Sequence, residues 1–158
     1  MAEIMFYHLE HKPWEQVLPG LLSKALERGW RCVVQIGREE RVEEISELLW
    51  KSEADLFLAH GTKTDGMADR QPIWLTAGTD NPNNATVRFF IEGAIVGDVS
   101  GLARAAILFD GRDETAVATA RADWKLLKKG GPHEISYWQQ DENYRWQNRS
   151  KSDEKNDR

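Results

Sequence analysis

The chain has one cysteine, Cys32, in 158 residues, which excludes an intrachain disulfide framework and a cysteine metal site. Val33 and Val34 follow it in a strand-like run, so a buried thiol is expected there. Histidines are few and scattered. His8 and His11 lie three apart at a strand-to-turn junction, which does not aim both at one metal, and His60 and His133 have no ligand partners nearby in sequence. An apolar run of membrane-spanning length is missing, and so is a signal-peptide pattern; the expected compartment is the cytoplasm, with no membrane contact. Excess positive charge is missing too. Lys and Arg number 21 against 26 Asp and Glu, giving −5, which argues against a protein built to coat nucleic acid but leaves room for a local basic patch. Phosphate-binding glycine spacing is also absent: Gly93–Gly101 (GAIVGDVSG) fits neither G-x-G-x-x-G nor G-x-x-x-x-G-K-S/T. No G-x-S-x-G elbow occurs and Cys32 has no evident base, so no catalytic constellation, metal or cofactor is expected.

What is present suits one globular domain, with 41% hydrophobic and 30% charged residues. Ile4–Leu9 (IMFYHL) reads as a buried strand, Pro13–Arg28 as a helix with Pro13 in its first turn, and Trp30–Ile36 as a second buried strand. Pro19 and Gly20 weaken the middle of that helix, so it is expected to begin in earnest after Pro19. Glu39–Lys51 reads as a second helix with Val42, Ile45, Leu48 and Leu49 inward. This alternation predicts an α/β fold: a single domain with a mainly parallel sheet flanked by helices, of nucleotide-binding (Rossmann-like) topology without a phosphate loop.

From Ser52 to Gln71 the pattern reads as a loop, interrupted by an apolar patch, Leu56, Phe57 and Leu58, that is expected to be exposed. Further strands are expected at Pro72–Ala77, Val87–Ile91 and Ala105–Phe109, with an edge strand at Glu134–Trp138. Residues 1–140 are taken as the domain and 141–158 as a C-terminal extension, with a helical turn at Glu142–Gln147 and a polar end from Asn148 that is expected to be disordered.

Asp113–Lys129 (DETAVATARADWKLLKK) organises the rest. Asp113 supplies a capping acceptor, Glu114 suits the positive end of the dipole and Lys128 and Lys129 the negative end, and Gly130, Gly131 and Pro132 form a stop. Val117, Ala120, Trp124 and Leu127 make an apolar stripe, and Arg121, Lys125 and Lys128 a cationic one beside it, with Trp124 on the border. A large amphipathic ring beside three cations is a candidate receptor for a peptide both acidic and hydrophobic. The bland reading is a solvated basic face over a core Trp. Seven Trp residues favour a binding surface modestly.

Several segments, in order, resemble the chi subunit of bacterial DNA polymerase III holoenzyme: FYHL (Phe6–Leu9), the strand after GW, LLW followed by FLAHG (Leu48–Gly61), RQPIWL (Arg70–Leu75) and RADWKLLKKG (Arg121–Gly130). The family's usual F-x-P-H is here Phe57, Leu58, Ala59, His60, without the proline. The resemblance implies a non-catalytic replication subunit that joins the clamp-loader assembly to single-stranded DNA-binding protein. It implies that Arg121, Trp124, Lys125 and Lys128 receive the acidic, phenylalanine-terminated tail of that protein, with one family lysine replaced near Val117. It also implies that Trp50 and Phe57 face a psi subunit or another clamp-loader component, unless they are core. DNA would be met mainly indirectly. Two other readings compete: a small α/β nucleotide-metabolising enzyme with a site near Asp110, and a direct DNA binder. Asp110 also reads as a turn former with Gly111, and Asp113 as the cap.

Overall fold

The uninterrupted apolar runs form the middle of one sheet. The computed structural model describes residues 2–51, 58–130 and 133–150. Its strands are β1 (Glu3–Leu9), β2 (Cys32–Ile36), β3 (His60–Gly61), β4 (Ile73–Thr76), β5 (Val87–Ile91), β6 (Arg104–Asp110), β7 (Glu134–Gln140) and β8 (Trp146–Asn148). They make an eight-stranded sheet in the order β3-β4-β2-β5-β6-β1-β7-β8. Every neighbouring pair is parallel except β7 with β8. The register sets Phe6 of β1 between Ile107 of β6 and Tyr137 of β7. β2 and β5 are buried along their whole length, as strands covered on both faces must be.

Helices α1 (Trp14–Glu27) and α2 (Val42–Trp50) cover one face, and α3 (Glu114–Lys129) covers the other. Strand alternation feeds a core on each face. Tyr7, Leu9, Val34, Ile36, Phe89 and Leu108 meet the buried stripes of α1 and α2. Ile4, Phe6, Phe90, Ile107 and Phe109 meet α3. This is the α/β architecture expected, mostly parallel and flanked by helices on both faces.

Several details differ from the sequence reading. α1 starts at Trp14 and runs straight through Pro19, which is itself buried. A proline in a helix interior costs about 3 kcal/mol or more, and here the burial of Leu18, Pro19 and Leu22 on one side offsets that cost. Glu39–Arg41 is a separate 3-10 turn ahead of α2. Leu58, expected in an exposed patch, is 2% exposed and belongs to the core beneath α2, while Leu56 and Phe57 lie outside the described residues. Two residues later the chain forms β3, which a polar His-Gly pair does not announce.

β7 is not an edge strand, since β1 lies on one side of it and β8 on the other. The expected helical turn at Glu142–Gln147 is instead a hairpin. Asp141 explains it: its carboxylate accepts from the Asn143 and Arg145 amides at 2.8 and 3.0 Å, and Tyr144 takes a positive φ of 62°. Local side-chain bonding of this kind competes with helix. Gly130 ends α3 at a φ of −81°, without the left-handed turn, and Gly131 and Pro132 are outside the described residues, as are 151–158.

Candidate basic and aromatic face on α3

Asp113 caps α3 as its position predicts, its Oδ1 accepting from the amides of Thr115 at 2.9 Å and Ala116 at 3.3 Å. The cap fixes the rotation of the helix above the carboxyl end of β6. Ala120 is then buried, and Val117, Trp124 and Leu127 pack partly against the sheet. Strand alternation brings Phe6 and Tyr137 up beneath Trp124, with ring centroids at 5.5 and 5.9 Å and tilted or edge-on planes. Trp124 is half-buried, held by rings below and open on its flank. The sequence gives no sign of Phe6 or Tyr137 as supports, because the register of β1, β6 and β7 decides which residues lie under α3.

Arg121, Lys125 and Lys128 are exposed along that open flank. The Lys128 ammonium lies 5.9 Å from the Trp124 ring centroid, one helical turn away. Among the described residues none of these three cations takes part in an ion pair. The structure therefore brings together all four residues singled out in the sequence: three cations without acidic partners among the described residues, and an amphipathic ring packed on two others. Val117 packs into the core beside them, at the position where the resemblance implies a lost cation.

The opposite flank of α3 faces a crevice of about 590 Å³ at the carboxyl ends of β1, β5 and β6. β1 leaves this edge towards β2 and β6 leaves it towards β7, on opposite sides, so this is the topological switch point where an α/β sheet would hold a ligand. The carboxylates there have other duties. Asp113 is the cap, Asp110 accepts from the Arg112 amide at 2.9 Å, and Glu92 takes a two-pronged contact from Arg41. Glu15 and Asp123 add further negative charge, and burial raises the pKa of Asp123 above the ordinary carboxylate value. Among the described residues, Arg112 is the one cation lining the crevice. A rim of this sign repels a phosphate, which weighs against the nucleotide-enzyme reading.

Trp50, the third aromatic candidate, is 55% exposed at the end of α2 and is not core. Its ring lies on His60, with centroids 4.1 Å apart and planes at 34°. His60 is buried and fixed at both nitrogens, with Nδ1 2.7 Å from the Leu58 carbonyl and Nε2 3.1 Å from the Ser46 hydroxyl. Nε2 also lies 3.0 Å from the Ser46 carbonyl, so a carbonyl acceptor faces each ring nitrogen and the ring is held from both sides. His60 is thus a support that sequence reasoning missed; its place in FLAHG is the one signal that could have found it. Phe57, paired with Trp50 in the sequence reading, lies outside the described residues. Among the described residues no cluster of three or more His, Cys, Asp or Glu is arranged to hold a metal ion, and no helix is long and apolar enough to cross a membrane.

The sequence model of a family described as "DNA polymerase III chi subunit, HolC" matches residues 1–134, from β1 through α3 to the first residue of β7. A protein of Rickettsia prowazekii (strain Madrid E), named "Probable DNA polymerase III subunit chi", is 28% identical over 92 residues, or 58% of this chain and 56% of that protein. The chain thus spans about half the length of the curated relative it matches. With the family match covering far more than half of the sequence, the chain belongs to the DNA polymerase III chi subunit family.

Proposed function

We propose that this protein is a non-catalytic accessory subunit in DNA replication that links the clamp-loader complex to single-stranded DNA-binding protein by gripping that protein's acidic C-terminal tail. The observation that carries the reading is the row of exposed cations, without acidic partners among the described residues, beside the half-buried Trp124. Arg121, Lys125 and Lys128 attract the acidic residues, and the planar fork of Arg121 suits a carboxylate best. The Trp124 ring and the apolar surface around it take the tail's aromatic side chain. Trp50, propped on His60, with Phe57 seven residues further along the sequence, serves the clamp-loader side, through a psi subunit or another component. DNA is reached in this reading mainly through these partners, and the chain contributes no chemistry of its own.

The test is binding to immobilised single-stranded DNA-binding protein, with and without its C-terminal tail. Binding to the intact protein that disappears with the tail, and weakens in Arg121→Ala, supports the reading. Equal binding to both forms would overturn it.

A further inference from the structure

The face of the sheet under α1 carries a second concentration of rings and cations, at the amino ends of the strands and on the opposite side of the sheet from α3. α1 rests mainly on β2 and β6, and α2 on β4. Among the described residues, β7 and β8 have no helix as a principal neighbour on this face, and large rings pack there instead. Alternation along β7 turns Trp138 to this side, and the hairpin lays Trp146 edge-on against Tyr7 at 5.0 Å. With Trp30, these rings wall a cleft of about 220 Å³.

Its cations are Lys24 and Arg28, from the last turn and C-cap of α1, and Arg104, from the first position of β6. The guanidinium carbons of Arg28 and Arg104 lie 5.0 and 4.9 Å from the Trp30 ring centroid. A guanidinium held against a ring keeps its N–H edge free for an oxyanion. Arg104 shares its charge with Glu3 at 3.1 Å, whereas Lys24 and Arg28 are exposed and in no ion pair among the described residues.

We propose that this cleft is a direct binding site for single-stranded nucleic acid, with one or two bases against the Trp138 and Trp146 rings and their phosphates on Lys24, Arg28 and Arg104, two of which Trp30 holds in place. Trp138 and Trp146, half-buried indoles from two adjacent strands, suit bases, each of which offers a π-face to stack on. A duplex keeps its base faces covered and gains nothing from such a wall. The negative total charge fits a site of this size: it receives about three phosphates and coats nothing. The site does not depend on tail binding, because α3 packs on the other face.

The test is fluorescence anisotropy of a labelled thymidine oligonucleotide about ten residues long, over a salt series, with an unlabelled duplex and an acidic, phenylalanine-terminated peptide as comparisons. Saturable binding is expected, with log K falling against log salt at a slope of about −2, the product of three phosphates and 0.7. The exposed pair Lys24→Ala/Arg28→Ala should fold normally, bind about tenfold more weakly or worse, and show a slope near −0.7. Arg121→Ala/Lys125→Ala should bind like the wild type, which separates this site from the proposed tail site. The proposal is overturned by no binding at the lowest salt, by unchanged affinity in Lys24→Ala/Arg28→Ala, or by duplex binding as tight as single-strand binding. A peptide that binds while the oligonucleotide does not, and that is lost in Lys24→Ala/Arg28→Ala, also overturns it and makes the cleft a peptide site.

Discussion

Single charges and rings in this protein differ mainly in whether folding has already used them. Arg88 is the used kind: buried in β5, it donates to Gln35 Oε1 at 2.9 Å and to the carbonyls of Asp80 and Gly78 at 2.9 and 2.8 Å, and so ties down the 78–80 loop. Arg121, Lys125 and Lys128 are the other kind, exposed with no ion-pair partner among the described residues. Nothing in VRFFI distinguishes Arg88 from a surface arginine, because its acceptors come from distant strands and loops. Cys32 was legible: it is fully buried between valine-rich neighbours, and burial pushes its thiol up to about 12. An unfolded thiol ionises near about 8.5, so the stability contributed by the neutral buried thiol is complete below that pH and is lost as pH rises from about 8.5 towards 12. A thiol reagent at pH 8 should therefore leave the native protein unlabelled and label it fully in denaturant. Rapid labelling of the native protein would place Cys32 at the surface.

At the scale of elements, α3 was readable because cap, dipole charges and apolar stripe all agree within sixteen residues. β1, β2, β5 and β6 were readable because buried parallel strands are continuous apolar runs. β3 and β8 were not, since two or three residues such as His60–Gly61 and Trp146–Asn148 become strands only through the neighbours that pair with them. Pro19 misled for a related reason: its local cost is plain in sequence, while the burial that offsets it is tertiary. The cap gives a direct test of α3. Asp113→Ala should lower stability by about 0.5–2 kcal/mol, read as a shift in the urea midpoint at unchanged slope. No shift would mean that the cap bonds contribute nothing. Trp50 tests α2 differently. With its ring largely exposed on His60, Trp50→Ala should change stability by no more than about 0.5 kcal/mol while weakening assembly with a clamp-loader component. A stability loss of about 3 kcal/mol or more, as for a core Trp, would contradict the surface role.

Across the whole molecule, charge is distributed against the average. The chain carries −5, its acidic side chains crowd the carboxyl edge around Asp110, and two basic, aromatic surfaces lie on opposite faces of the sheet. The α3 surface could be anticipated because one helix contains all of it. The Trp30 cleft could not, since α1, β6, β7 and β8 meet there only after the sheet has formed. In the tail site proposed at α3, charge and ring would divide the work unequally. Exposed pairs are individually weak, so Lys128→Ala should cost tail binding about 0.2–1 kcal/mol. Arg121→Ala should cost more, on the order of 1.5–3 kcal/mol for a hydrogen bond to a charged group. The most direct measurement is a calorimetric titration of a synthetic acidic tail peptide ending in phenylalanine into wild type and Arg121→Ala. The account predicts saturable binding to the wild type, weakened about tenfold or more in the variant and lost at least as far when the peptide's terminal aromatic is removed. Equal affinity for both proteins, or no binding to the wild type, would contradict it.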